Sequence, residues 1–141
     1  MIKEFTGEYR FLSNFYEHAF RYDDILWPTA EHAYQASKTL DRQERLYIAC
    51  SVSTPAKAKA EGRKLKLRPN WDRIKDQIMY DILINKFADY DLRLKLLDTW
   101  PNELEEGNNW GDMYWGKVNG FGENKLGRLL MLVREMYELG V

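Results

Sequence analysis

The chain has 141 residues, 45% of them hydrophobic and 30% charged, with a formal net charge of −1. This composition is that of a soluble globular protein with its own core, and the charge argues against a dedicated duplex-DNA binder, which needs a basic face. The single cysteine, Cys50, excludes an internal disulfide and suits a reducing compartment, and neither a long apolar run nor a signal peptide is present. We therefore expect a single cytoplasmic domain over residues 1–141 with no membrane contact.

The N-terminal part of the chain predicts a small β-hairpin. Phe20 and Tyr22 alternate with polar neighbours, Asp23-Asp24 supplies a turn, and residues 25–27 resume the alternation. Asp-Asp is a weaker hairpin signal than Asp-Gly, so the hairpin depends mainly on the alternation.

Helix signals follow along the rest of the chain. Pro28 and Thr29 start a helix that runs to about Leu40, because proline suits the first turn and threonine can cap it. The other predicted starts are Asp41 (helix through Cys50), Thr54-Pro55 (to Gly62), Asn70 (toward Phe87), Asp91 (residues 92–97) and Asn124 (the last helix). The segments describe a mainly α (α+β) protein.

A polar stripe is predicted on the helix that starts at Thr29. Glu31, Tyr34, Gln35 and Lys38 are spaced i, i+3, i+4 and i+7, which places them on one side of a helix. The opposite side carries small residues at 30, 33, 36 and 37, which allow close packing. The stripe is either a solvated polar face or a group of catalytic and binding side chains, and Trp27 just before it favours the second interpretation.

The second polar-aromatic cluster spans residues 108–116 and contains Trp110, Tyr114 and Trp115. One interpretation is a loop whose aromatic rings pin it to the core. The other places Asp112 beside an aromatic wall that removes water and raises its pKa, which makes it a usable acid at neutral pH.

The glycine-rich segment 116–125 leads into the last helix. Glycines before a helix let backbone N–H groups approach an anion, the helix dipole favours negative charge there, and Lys117 and Lys125 add positive charge. A tight turn explains the same glycines. Residues 120–125 do not complete a dinucleotide fingerprint, because Lys125 holds the position of its third glycine.

Metal and acyl-transfer chemistry have little support in this chain. His18 and His32 lack metal-ligand spacing with Cys50, and no serine-nucleophile motif occurs. We expect no metal and no cofactor, and we expect His32 to be a structural hydrogen-bonding residue.

Several motifs together resemble the NADAR (YbiA-like) family. They occur in the expected order over roughly residues 5–139. They are Ser13-Asn14-Phe15, Trp27-Pro28-Thr29-x-Glu31-His32-x-Tyr34-Gln35-Ala36-x-Lys38, Gly62-Arg63, Arg68-x-x-Trp71, Lys86-Phe87, Asp112-x-x-Trp115-Gly116 and Gly122-x-Asn124-x-Leu126-Gly127. One departure is the loop 117–121, whose composition differs from that of many relatives and which leaves substrate choice open.

The resemblance implies a compact, multihelical single domain with N-glycosidase activity on ribose N-glycosides. The implied substrates are phosphoribosylaminopyrimidine intermediates of riboflavin synthesis, or ADP-ribose on guanine, including guanine in nucleic acid. The implied catalytic residues are Glu31, Lys38 and Asp112. The candidate substrate-binding residues are Arg10 (an anion contact), Asn14, Trp27, Tyr34, Gln35, Trp115, Gly122 and Asn124.

The role of Lys38 remains open at this point. It either anchors a phosphate or attacks C1′ of the ring-opened sugar as a Schiff-base nucleophile, which requires a lowered pKa. Glu31 nearby raises that pKa, so burial has to outweigh the carboxylate. The alternatives to an enzyme are a non-catalytic ADP-ribose or nucleotide-binding module and a structural, partner-binding protein.

Overall fold

A computed structural model describes residues 1–140. Within them the elements are a 3-10 helix Gly7–Leu12, strands β1 Phe20–Tyr22 and β2 Ile25–Trp27, and helices α1 Ala30–Ala36, α2 Arg42–Ser51, α3 Pro55–Gly62, α4 Trp71–Lys86, α5 Tyr90–Leu97 and α6 Lys125–Glu138. The mainly α class with an N-terminal hairpin is confirmed. No helix in the described part of the chain is long and apolar enough to cross a membrane. The backbone contacts divide the chain into two compact units.

The first unit, residues 14–86, begins with the predicted hairpin. Phe20 pairs with Trp27 and Tyr22 with Ile25 in antiparallel register. Asp23 and Asp24 both have positive φ, 54° and 61°, which is the backbone of a turn whose twist matches that of the two strands. The predicted hairpin is confirmed. The alternation of apolar and polar residues indicates it correctly because one face of the hairpin is buried.

Helix α1 is the buried centre of this unit and packs against α2, α3, α4 and β2. Thr29 caps it as predicted, because its Oγ1 accepts a hydrogen bond from the N–H of His32. All seven of its residues are buried, and Ala30, Ala33 and Ala36 are fully so. The small side chains on one side of this helix allow close packing against it.

The predicted end of α1 at Leu40 is wrong. The helix ends at Ala36, since the N–H groups of Lys38 and Thr39 donate to Gln35 and Ala36 three residues back. Such bonds tighten the last turn and stop the α-helix. Lys38 therefore lies in the turn after α1 and not on a continuous helical stripe.

Helices α2 and α3 begin as predicted. The Asp41 carboxylate accepts hydrogen bonds from the N–H groups of Gln43 and Glu44, and Thr54 Oγ1 accepts one from the N–H of Lys57. Cys50 is exposed on α2.

The second unit consists of residues 1–13 and the segment from Phe87 onward, with α5 and α6 packed together. The cap of α5 is Asp89, whose carboxylate accepts from the N–H of Leu92, so the prediction of Asp91 is wrong by two residues. Asn124 precedes α6 but makes no side-chain cap, and its φ is 54°. The core face of α6 carries Leu126, Leu130 and Val133.

Candidate active site

The first unit holds a buried carboxylate–amide pair on α1. Glu31 is 8% exposed and Gln35 is 4% exposed. Gln35 Nε2 donates a hydrogen bond of 2.5 Å to Glu31 Oε2, which one helical turn makes possible. The N–H of Glu31 donates to the carbonyl of Asn14 at 2.9 Å. The stripe is therefore no solvated surface, and the interpretation as an exposed polar face is wrong.

Lys38 is the amine closest in sequence to this pair, and it is half-buried in the turn after α1. Its Nζ lies 5.8 Å from the centre of the Tyr34 ring. Burial lowers the pKa of Lys38, the Glu31 carboxylate opposes this shift, and the charges of Arg63, Lys59 and Lys75 lower it further. The net direction is downward, so burial outweighs the carboxylate, as a nucleophilic amine requires.

Three positive charges act on the amine of Lys38. Lys59 on α3, Arg63 directly after α3 and Lys75 on α4 each lower its pKa. The N–H of Arg68 donates to the carbonyl of Lys38 at 2.8 Å and fixes the turn. Arg63 and Arg68 belong to a basic segment, residues 63–68, and their positive charges favour an anion at the turn.

Tyr34 and Asn14 both contact residues of helix α4. The Tyr34 ring packs on Trp71 of α4 with ring centres 5.4 Å apart. Asn14 Nδ2 donates to the sulfur of Met79 at 3.6 Å, while its Oδ1 is buried without a hydrogen-bond partner in the described structure. A ligand hydroxyl or a water would satisfy that oxygen.

Trp27 and His32 are packing residues in the structure. Trp27 is 1% exposed, and its indole N–H donates to the carbonyl of Tyr22, so its ring offers no exposed face to a substrate. His32 is fully buried between Thr29 Oγ1 and the carbonyl of Val52. Because that carbonyl can only accept, Nε2 of His32 carries a proton. Burial lowers the pKa of the ring, which favours its neutral form, although the bond to Val52 opposes this shift. The structural role expected for His32 is confirmed.

Asp112 belongs to the second unit, in the aromatic loop. Its Oδ1 accepts hydrogen bonds from the N–H groups of Tyr114 and Trp115, at 3.0 and 2.9 Å. The side chain of Asn108 holds the backbone of Asp112: its Nδ2 donates to the Asp112 carbonyl, and its Oδ1 accepts from the Asp112 N–H. Trp115 packs edge-on against Tyr114 with ring centres 4.9 Å apart. The loop thus orients the carboxylate, and the convergence of Asp112 with Glu31 and Lys38 stays a prediction.

The N-terminus of α6 does not form an open anion cradle. The N–H groups of residues 123–126 donate to carbonyls of residues 113–116, so the loop's own oxygens occupy them. Gly122 has φ of 144° and lies against the carbonyls of Gly116 and Met113, where a Cβ would be only 2.4 Å from the first oxygen. The tight-turn interpretation of the glycines is confirmed.

Asn124 is buried and clamps the segment before the loop. Its Oδ1 accepts from the N–H of Glu106, and its Nδ2 donates to the carbonyl of Leu104, both at 2.9 Å. These two bonds give its amide a structural role. Arg10, the predicted anion contact, is exposed on the 3-10 helix of this unit.

Lys86 is a buried amine that the sequence analysis did not assign to the site. It is 1% exposed at the end of α4, and burial lowers its pKa to about 7. Its Nζ lies 5.9 Å from the centre of the Tyr16 ring. The sequence does contain a signal for its burial, because Lys86 follows the apolar residues Ile78 and Ile82 at a spacing of four on the same side of α4.

The chain is similar to known proteins along most of its length. The NADAR domain family model matches residues 2–138. N-glycosidase YbiA of Escherichia coli (strain K12) is 42% identical, over 92% of this chain and 82% of that protein. N-glycosidase Npun_R5314 of Nostoc punctiforme is 39% identical, over 90% and 85%. The riboflavin biosynthesis protein VVA0006 of Vibrio vulnificus is 36% identical over 89% of this chain but 35% of its own length.

The similarity extends to three-dimensional structure. The NMR structure of Escherichia coli YbiA superposes with a TM-score of 0.85 at 37% sequence identity, covering 99% of this chain and 88% of that one.

Proposed function

Since the chain belongs to the NADAR domain family, we propose that it hydrolyses the bond between C1′ of a phosphorylated or ADP-linked ribose and the nitrogen of a base. Relatives that are 42% and 39% identical over most of the chain are N-glycosidases. The chain is accordingly a hydrolase acting on N-glycosyl bonds. The proposal concerns its substrate and the residues that act on it.

The observation that carries the proposal is the buried Glu31 carboxylate, whose charge acts on the amine of Lys38. Breaking an N-glycosidic bond builds positive charge at C1′, which a fixed carboxylate stabilises. Gln35 holds the Glu31 carboxylate at 2.5 Å, and the charge of Glu31 acts on Lys38. Such a pair suits the cationic C1′ of a sugar.

The charges around Lys38 support a phosphorylated substrate. Lys59, Arg63 and Lys75 all act on its amine, and phosphate is the group that such a cluster attracts best. The riboflavin-synthesis name of the Vibrio vulnificus relative supports the aminopyrimidine ribosides among the candidates.

The residues would share the reaction as follows. Glu31 takes a proton from water while the water oxygen bonds to C1′, and the electron pair of the C1′–N bond leaves with the base. Asp112, proposed to face the base, supplies or holds the proton that the base takes up. In a covalent variant the sugar ring opens at its C1′–O4′ bond, O4′ takes up a proton, and the neutral amine of Lys38 bonds to C1′. The electron pair of the C1′–N bond then leaves with the base, the base takes the proton that the amine gives up, and an imine between C1′ and Lys38 remains. Water adds to C1′ of this imine, and breaking its bond to Lys38 returns the free amine and the sugar.

A panel of N-ribosides tests the proposal. It contains a phosphoribosylaminopyrimidine and ADP-ribosylated guanosine, and release of the free base is followed by chromatography. Base release that depends on the enzyme supports the proposal. Stabilisation of the protein by ADP-ribose without base release from any substrate would instead identify a binding module.

A further inference from the structure

Gly62, the last residue of α3, lies so close to Gln35 that a side chain here would overlap that of Gln35. A Cβ built on it would lie 1.9 Å from Gln35 Oε1, 2.7 Å from Gln35 Cδ and 3.0 Å from Gln35 Cβ. The backbone does not demand glycine here, because Gly62 is not among the residues with positive φ. The reason for glycine is therefore the side chain of Gln35, which lies directly against its Cα.

Gln35 is held in an orientation that costs it a hydrogen bond. Its Nε2 donates to Glu31 Oε2, whereas its Oε1 faces the Cα of Gly62 and is buried without a hydrogen-bond partner in the described structure. Turning the amide over would place its oxygen against the carboxylate oxygen of Glu31, and two acceptors repel each other. An unsatisfied buried carbonyl destabilises the fold, so the bond to Glu31 and the contact with Gly62 must hold this orientation.

We propose that Gly62 is a positioning residue for hydrolysis: its bare Cα gives Gln35 the room to hold the Glu31 carboxylate in a single orientation. The inference rests on the proposed function in one respect, namely that Glu31 acts at C1′. It adds a residue that lies on another helix and acts on Glu31 only through Gln35.

Helix propensity and packing predict opposite effects for Gly62→Ala. Alanine is the better helix former, and the backbone at residue 62 accepts it, so propensity alone would stabilise α3. The added methyl, however, overlaps the amide of Gln35. Either Gln35 turns away from Glu31 or α3 moves off α1, and both displace the carboxylate.

The first test is a double-mutant cycle of Gly62→Ala and Gln35→Ala, measured as kcat and KM for base release. Each single change is expected to lower kcat about 10- to 100-fold with little change in KM, as a small misplacement of a reacting group does. The double variant is expected to be no worse than the poorer single variant, because Gln35→Ala removes the amide that the methyl meets. Ala60→Ser, which adds one atom at an exposed position of α3, is the matched control.

The second test does not need activity. In the wild type, the side-chain Nε2 protons of Gln35 should give shifted NMR resonances that exchange slowly with water, and Gly62→Ala should abolish both properties while circular dichroism shows an intact fold. Unchanged Gln35 resonances, an unchanged kcat in Gly62→Ala, or additive losses in the cycle would overturn the proposal. A wild type inactive on every riboside would refute the proposed function, and the Gln35 resonances would still decide whether Gly62 controls the pair.

Discussion

Lys86 gives the sharpest quantitative prediction. Burial lowers the pKa of its amine from 10.5 to about 7 in the folded protein. Between these two values the unfolded chain binds a proton that the folded chain does not, so the free energy of unfolding should rise with pH in that window. Between pH 7 and pH 9, this one residue should raise the free energy of unfolding by about 2 kcal/mol.

The perturbation is Lys86→Met, which keeps an unbranched chain of similar length and removes the titrating group. Urea unfolding at both pH values measures the free energies of the wild type and of the variant. Other groups titrate equally in both proteins, so the difference between their pH gains isolates Lys86. The variant should lack about 2 kcal/mol of the wild-type gain.

Lys66→Met is the matched control, because residue 66 is exposed and its change should leave the wild-type pH dependence intact. Parallel pH dependence in the wild type and in Lys86→Met would refute the reasoning, since it would mean that the amine keeps its ordinary pKa in the folded protein.

Three further predictions concern the site and its supports. If Lys38 forms a Schiff base, borohydride added during turnover should trap a ribosyl adduct on it by mass spectrometry; no adduct, with activity kept in Lys38→Arg, would leave only an anchoring role. Arg63→Gln should raise KM for a phosphorylated substrate about tenfold with little effect on kcat, which is the loss expected for one charge-assisted contact. The control Arg42→Gln on α2 should change neither constant. A KM for Arg63→Gln equal to that of the wild type would remove Arg63 from phosphate binding. Asn124→Ala breaks both hydrogen bonds of a buried amide and should lower the free energy of unfolding by about 2 to 3 kcal/mol in urea titrations. Asn109→Ala at an exposed position should not, and similar losses in both would contradict the clamp.

Local signals were sufficient for the hairpin and for most helix starts. The alternation around Asp23-Asp24 and the caps at Thr29, Asp41 and Thr54 each depend on neighbouring residues only. Boundaries failed where two residues compete for one role. Asp89 and Asp91 are both able to cap α5, and no local feature separates them.

The end of α1 and the burial of its polar stripe could not be read from the sequence. Spacing placed Glu31, Gln35 and Lys38 on one side of a helix but could not say whether that side meets water. Its burial depends on packing against other helices, including α3, where a side chain at residue 62 would overlap Gln35. The same packing settles the direction of the Lys38 pKa, which sequence reasoning left open.

The structure of the glycine-rich segment 116–125 before α6 could not be predicted from the residues of that segment alone. Its residues are equally compatible with an anion cradle and with a tight turn. The choice depends on carbonyls of residues 113–116, which occupy the N–H groups of residues 123–126. The aromatic loop brings its own oxygens to the helix, and no pattern within residues 116–125 contains that information.

The central claim is that the Glu31 carboxylate stabilises the sugar cation as the base departs. Single-turnover base release by Glu31→Gln, compared with the wild type on the substrate that the panel identifies, tests it most directly. Because glutamine keeps the size but removes the charge, we expect the rate constant to fall by about 10²-fold or more, with an unchanged circular dichroism spectrum. A rate constant equal to that of the wild type would contradict the claim and remove Glu31 from the mechanism.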